Sequence, residues 1–257
     1  MRGSRSCIIA AVTRSSNVDR GNMVTLPRKR GVEILDDPLV DPEVMRRSMK
    51  DVERANALFG GKRAALAEIE SVLPGSGAAT MLDVGTGRGD IPCAAVTLAR
   101  GAGVHLHAIG LDISETLVAD SVAGNQSIVR GNALALPFRD SSIDIVLASQ
   151  VLHHFPFSEA CVMVRELDRV ARRAVVISDL RRSVFAAAGL WLGSFPLGFH
   201  PVSRHDGVVS VLRGFVPHEL STIVAEATGR RPHIRRRLGF RLTTHWYKNE
   251  ADERAIA

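Results

Sequence analysis

From Gly77 onward, runs of consecutive apolar residues alternate with longer stretches whose apolar positions recur every three or four residues. The run TMLDV (80–84) reads as a buried strand, and VHLHAIGLDI (104–113), IDIVLAS (143–149) and AVVISDL (174–180) read as further strands of the same sheet. SIVRGNA (127–133), HIRRRL (233–238) and RLTTHW (241–246) are shorter strand candidates, which brings the expected total to seven. Helical spacing over 91–100, 114–123, 158–170 and 217–227 fills the gaps. Strand and helix in alternation predict an α/β fold, a mostly parallel seven-stranded sheet with helices on both faces.

Upstream the pattern is purely helical. Asp41-Pro42-Glu43 offers an N-cap, a proline at the first helical position and an acid in the first turn; the helix it opens runs to Gly60-Gly61. A second helix spans 62–72 and stops at Pro74-Gly75. Residues 32–76 are thus expected to form a helical cap over one edge of the core, and 77–250 the main domain. Residues 1–31 are expected to be a disordered extension. Arg2, Arg5, Arg14 and Arg20 surround the apolar patch CIIAAV, too short for the core of a usual signal peptide, and Met23 is a candidate start. After the fifth strand, 184–216 stands out as an insertion whose first half carries no charge and holds Trp191, Phe195 and Phe199. Its glycines and Pro196 interrupt too few apolar residues for a membrane span, which leaves peripheral membrane contact open.

Composition adds little. At 257 residues and 46% hydrophobic the chain can bury one sizeable core. Cys7, Cys93 and Cys161 are scattered, odd in number and lack metal-ligand spacing, which suits a reducing, cytoplasmic setting. A net charge of +6, spread along the chain, permits anionic partners without requiring them. The arginines 230, 231, 235, 236, 237 and 241 cluster, but no aromatic residues for stacking bases are interleaved with them, so nucleic acid is not the expected partner.

Candidate chemistry begins at MLDVGTGRGD (81–90). Gly85, Gly87 and Gly89 alternate directly behind a strand, yet Asp90 stands where a dinucleotide fingerprint needs its third glycine, and the lysine of a phosphate-binding P-loop is missing. Asp83, just ahead of the glycines, would repel a pyrophosphate and attract an ammonium. Asp112 ends the next strand, placed to accept two ribose hydroxyls. GNALALPF (131–138) follows. Loop, acid and this last block together resemble the first three signatures of class I S-adenosylmethionine-dependent methyltransferases, from about residue 77 to the end.

The resemblance implies a Rossmann-like fold and S-adenosyl-L-methionine as cofactor, held by Asp83, Gly85, Thr86, Gly87, Gly89, Asp112, Ile113, Asn132, Ala133 and Gln150. Asn132 replaces the acid the family usually places against the adenine amino group; its side-chain oxygen can accept the same bond. After the fourth strand, SQVLHHF (149–155) lacks the Asn/Asp-Pro-Pro-Tyr/Phe of enzymes that methylate base amines and looks closer to the quinone and small-molecule branch. Gln150 and His153 occupy places where some O-methyltransferases carry metal-binding acids, so no metal is expected. His153, His154 and His205 are the candidate bases, and Trp191, Phe195, Phe199 and His200 the candidate acceptor contacts, in an insertion that such enzymes use as a lid. The expected reaction is methylation, most simply of a hydroxyl, on a small lipophilic aromatic, polyketide-like or quinone-like acceptor. C-methylation of such a molecule, RNA methylation, and a cofactor-binding scaffold without catalysis are the alternatives.

Overall fold

The apolar runs become strands because each supplies side chains to two faces at once. A computed structural model describes residues 27–28, 31–123 and 127–249. The expected extension over 1–31 therefore lies, apart from residues 27, 28 and 31, outside the described residues. Strands β1 (Gly77–Val84), β2 (Val104–Asp112), β3 (Ile128–Arg130), β4 (Ile143–Ser149), β5 (Ala171–Leu180), β6 (Arg235–Arg237) and β7 (Arg241–Tyr247) form one sheet in the order β3-β2-β1-β4-β5-β7-β6. The first five are parallel; β7 runs antiparallel to β5 and to β6. The two end strands, β3 and β6, keep only three residues each of the longer runs anticipated, as short edge strands do.

Alternation along the strands divides the core. Leu82, Val84, Val146 and Ala148 face α5 (Phe157–Val170) and α8 (Pro217–Thr228), whereas Met81, Ile145, Leu147 and Val176 face α2 (Gly61–Glu70) and α3 (Asp90–Gly101). Asp83 lies between Leu82 and Val84 and so shares the α3 side with Met81, at the point where α3 begins. Helix α4 (Glu115–Ala123) follows β2.

Helix α1 (Pro42–Leu58) starts as its sequence predicts, with the Asp41 carboxylate accepting the N–H groups of Glu43 and Val44. Its position is less expected. It lies across the carboxyl ends of the central strands, not along an edge of the sheet: Asn56 accepts a bond from the Gln150 amide at 2.6 Å, and the Met49 methyl sits on the glycine loop. The 184–216 insertion folds as a helical hairpin, α6 (Val184–Ser194) and α7 (Pro201–Arg213), whose facing sides pack through Ala187, Leu190, Val208 and Val211. Asp51 of α1 accepts from the His200 N–H at 2.7 Å and the Ser203 hydroxyl at 2.9 Å, a carboxylate at the N-terminus of α7 where the helix dipole favours one. Asp206 of α7 in turn accepts the N–H groups of Ile34 and Leu35. N-terminal elements and lid are therefore tied together over the strand ends.

The arginine-rich terminal strands also have an internal task. Glu68 of α2 is fully buried and receives Arg235, Arg237, the Thr243 hydroxyl and His245. Burial alone would raise its pKa, but these partners hold it at about 2. A carboxyl held below its ordinary value stabilises the fold above about pH 4.5, and that contribution is lost as pH falls toward 2. Glu68→Ala, which leaves the surrounding cations without their carboxylate, should cost about 2–4 kcal/mol in denaturant unfolding at neutral pH. The deficit should shrink in acid, and a loss that stays constant down to about pH 2 would contradict this account.

Candidate functional site

Parallel strands end together, so the residues just past β1, β2 and β4 converge at one edge of the sheet. Past β1 the chain turns at once. Gly85 and Gly87 have φ of 75° and 57°, and a Cβ on either would come within 2.8 Å of Val151 or of the Met49 methyl. The Gly85 and Thr86 N–H groups bond the Leu111 carbonyl at 2.8 and 3.0 Å. The Asp112 carboxylate accepts the Gly87 N–H on one oxygen and the Ser114 N–H on the other, both at 2.9 Å. Each of those oxygens retains a lone pair for a further donor.

Asp83 is the chemically strained member. It is buried, and its Oδ1 has no hydrogen-bond partner among the described residues. Burial first, then the neighbouring Asp90 and Asp112 carboxylates, push its pKa up to about 8. A buried acid with a spare oxygen, beside a second carboxylate and a loop with no room for side chains, suits a ligand that brings a cation, hydroxyls and close van der Waals contact. Asn132 lies just beyond β3, exposed, its side-chain oxygen accepting the Leu134 N–H at 2.9 Å. Ala133 is half-buried beside it, and Ile113 offers an exposed apolar side chain next to Asp112. Gln150 follows β4 with φ of 55°, its backbone N–H on the Ser178 carbonyl. Asp83, the glycine loop, Asp112 and Gln150 thus lie on adjoining strand ends.

A second cluster adjoins the first through the turn Leu152–His154. His153 is buried, with Nδ1 2.7 Å from Asp179 at the end of β5. Burial tends to raise the Asp179 pKa, but His153 and the Leu180 N–H bring it below the ordinary range, so the carboxylate is ionised and accepts from His153 Nδ1. His153 Nε2 is buried with no hydrogen-bond partner among the described residues. His154 points its Nδ1 at Asp36, 2.9 Å away, and the two rings lie 4.4 Å apart. Burial lowers the His154 pKa, but Asp36 and Glu33 outweigh it, so the net direction is upward. Asp36 is held at about 2: burial raises it, and His154 and Arg213 more than offset that.

Glu33, His153 and His154 each present a ligand atom, all within 4.8 Å of one another, a set able to hold a divalent ion. Protein cations already serve the same charge. Arg213 donates to Glu33 at 2.8 Å and to Asp36 at 2.9 Å, and Arg28 donates to the His153 and Phe155 carbonyls. The remaining candidates are not gathered here. His205 is half-exposed on α7 with Nδ1 on Asp206; Trp191 and Phe195 are half-exposed and pair edge to face at 5.0 Å. Phe199 is buried beneath Arg54, and His200 caps α7. Asp179, Glu33, Asp36 and Met49 join the strand ends without a signal at the sequence level, since three of the four lie far along the chain from the histidines or glycines they meet.

A seven-stranded sheet of this order with a Gly-x-Gly-x-Gly loop between flanking acids is the arrangement of class I S-adenosylmethionine-dependent methyltransferases. Residues 82–177 match the family model described as a methyltransferase domain, and the chain carries that domain. The demethylmenaquinone methyltransferase of Shouchella clausii is 37% identical over 98 residues, 35% of this chain and 40% of that protein. A relative from Encephalitozoon cuniculi is 34% identical over 96 residues, 36% of this chain and 38% of its own. The match thus spans about two fifths of the length of these curated relatives. A SAM dependent methyltransferase from Aquifex aeolicus superposes with a TM-score of 0.53 at 17% identity, covering 80% of this chain and 98% of its own, a likeness of fold.

The residues at the strand ends fit the cofactor of that class. Asp112→Ala removes a carboxylate that orders Gly87 and keeps a lone pair on each oxygen for a ribose hydroxyl, and isothermal titration should show S-adenosylmethionine binding weakened by about 1–3 kcal/mol. An ammonium beside Asp83 favours its ionised form, so binding below about pH 8 must release the proton that Asp83 holds. Titrations at about pH 6.5 in buffers of different ionisation enthalpy should report close to one proton released, and none in Asp83→Asn. Zero release in the parent chain would contradict the assignment.

Proposed function

We propose that this chain is an S-adenosylmethionine-dependent methyltransferase whose acceptor is a small lipophilic aromatic, polyketide-like or quinone-like molecule, methylated at a hydroxyl. The observation that carries the reading is the His153–Asp179 pair, a buried imidazole with its outer nitrogen unpaired, in the turn that follows Val151, whose side chain packs on Gly85 of the glycine loop. The name of the Shouchella clausii relative, which concerns a quinone, supports the acceptor class.

S-adenosylmethionine, when bound, supplies an electrophilic methyl group, and the chain's residues have only to position and deprotonate. Asp83, Asp112 and the glycine loop orient the cofactor. His153 Nε2 takes the phenol or enol proton while Asp179 stabilises the imidazolium that results. The apolar lid excludes water, which would otherwise solvate the developing oxygen nucleophile. RNA is less well served: Arg235 and Arg237 are committed to Glu68, Arg230 bonds the Lys248 carbonyl, and Arg241 is buried.

Labelled cofactor offered to a panel of lipophilic phenols and quinols beside bulk transfer and ribosomal RNA should label the small molecules. Label on RNA alone would reverse the reading. On the accepted phenol, His153→Ala should lower kcat about 100-fold or more with little change in cofactor affinity. His205→Ala should stay near the parent rate; an equal loss in both would remove His153 from the role of base. Turnover should continue in excess chelator, and a rate that collapses and returns with a divalent ion would give Glu33, His153 and His154 to a metal.

A further inference from the structure

We propose that helix α6 docks this protein onto the surface of an anionic lipid bilayer. From Ser183 to Ser203 the chain contains no Asp, Glu, Lys or Arg. Helix α6 meets the rest of the protein along a narrow side, where Ala187 and Ser194 are buried and Leu190 packs on α7. The other side faces solvent with Phe185 72% exposed, Leu192 62%, and Trp191 and Phe195 50% each. Isolated apolar side chains are ordinary on protein surfaces; four large ones on one uncharged helix and the residue that caps its end are not.

The surroundings say what covers them. The Arg204 guanidinium lies 4.3 Å from the centre of the Phe195 ring, and that of Arg54 lies 5.4 Å from Phe199. Arg54 also stands 3.6 Å from the buried Asp51. Arg47 and Lys50 are exposed and lie seven and four residues before Arg54 on α1, on the same stripe of that helix. Leu58, at the end of the stripe, is exposed too, and its neighbour Phe59 reaches toward Gly193 of α6. Aromatic and aliphatic side chains flanked by arginine and lysine are what an interfacial helix presents to acyl chains and anionic headgroups. The contact lies in the interface plane, since among the described residues no helix is long and apolar enough to cross a membrane.

A second copy of the chain fits less well. Four half-exposed large side chains and Leu58 offer on the order of 400–500 Å² on a convex helix, short of the roughly 800 Å² per partner of a stable interface. Docking does not depend on the acceptor proposed above; if both hold, the lid meets lipophilic molecules where they dissolve.

Vesicle sedimentation with the full chain tests the proposal. Binding to phosphatidylcholine containing about one third phosphatidylglycerol should exceed binding to phosphatidylcholine alone by about tenfold or more, and should weaken as salt is raised. Trp191 reports directly: its emission should shift to the blue on vesicles, while Trp246, buried already, stays silent. Leu192→Glu, checked for folding by circular dichroism, should lose at least about tenfold in binding. No sedimentation with either vesicle, or undiminished binding by Leu192→Glu, would overturn the proposal. So would a lipid-free dimer in light scattering that Leu192→Glu dissolves, which would give the face to a second copy.

Discussion

A carboxyl group buried at the end of β1 with one oxygen unpaired is the constraint around which the strand ends are arranged. Asp83 cannot ionise cheaply where it stands, because burial and two neighbouring carboxylates oppose the charge. The loop that follows it must be glycine: at Gly85 and Gly87 both the backbone conformation and the closeness of Val151 and Met49 exclude a Cβ. Asp112 then binds the loop through the Gly87 N–H and fixes its path. The result is a cluster of two carboxyl groups beside a close-packed glycine turn, a donor set complementary to a ligand that carries a cation and hydroxyl groups. That complementarity is why the same loop does not suit a dinucleotide phosphate.

Catalytic potential comes from elements far apart in the chain. His153 depends on Asp179 for its tautomer and orientation, and the two are brought together because β4 and β5 are adjacent and end at the same level. Glu33 and Asp36 reach the same histidines from the N-terminal side and are held there by Arg213 of the lid. Asp206 and Asp51 complete the linkage, one binding the backbone near Ile34 and the other the start of α7. Lid and N-terminal segment must therefore move together if the lid opens.

The sheet and the glycine loop behind β1 were legible because they depend on local patterns. A buried parallel strand is an unbroken apolar run, and the glycine loop is a spacing rule that follows directly on one. The lid hairpin was legible as an insertion but not as two helices, since Gly189 and Gly193 and the lack of a polar face obscured the periodicity of α6. Asp179 was hidden inside a strand-end run, indistinguishable from any acid there until β4 and β5 were paired. Glu33 and Asp36 sit some 120 positions from His153 and His154, beyond the reach of any motif. The terminal arginines misled in the opposite direction: a charge run normally marks a solvated face, and here a single buried acid on α2 gathers two of its members.

Hydrogen exchange with and without S-adenosylhomocysteine tests the account of the strand ends most directly, because it reads every backbone amide without assuming an acceptor. Protection is predicted for the glycine loop, for the amides around Asp112 and Asn132, and for α1 around Met49, which rests on that loop. Slowed exchange only at β6 and β7, or no change anywhere, would contradict it.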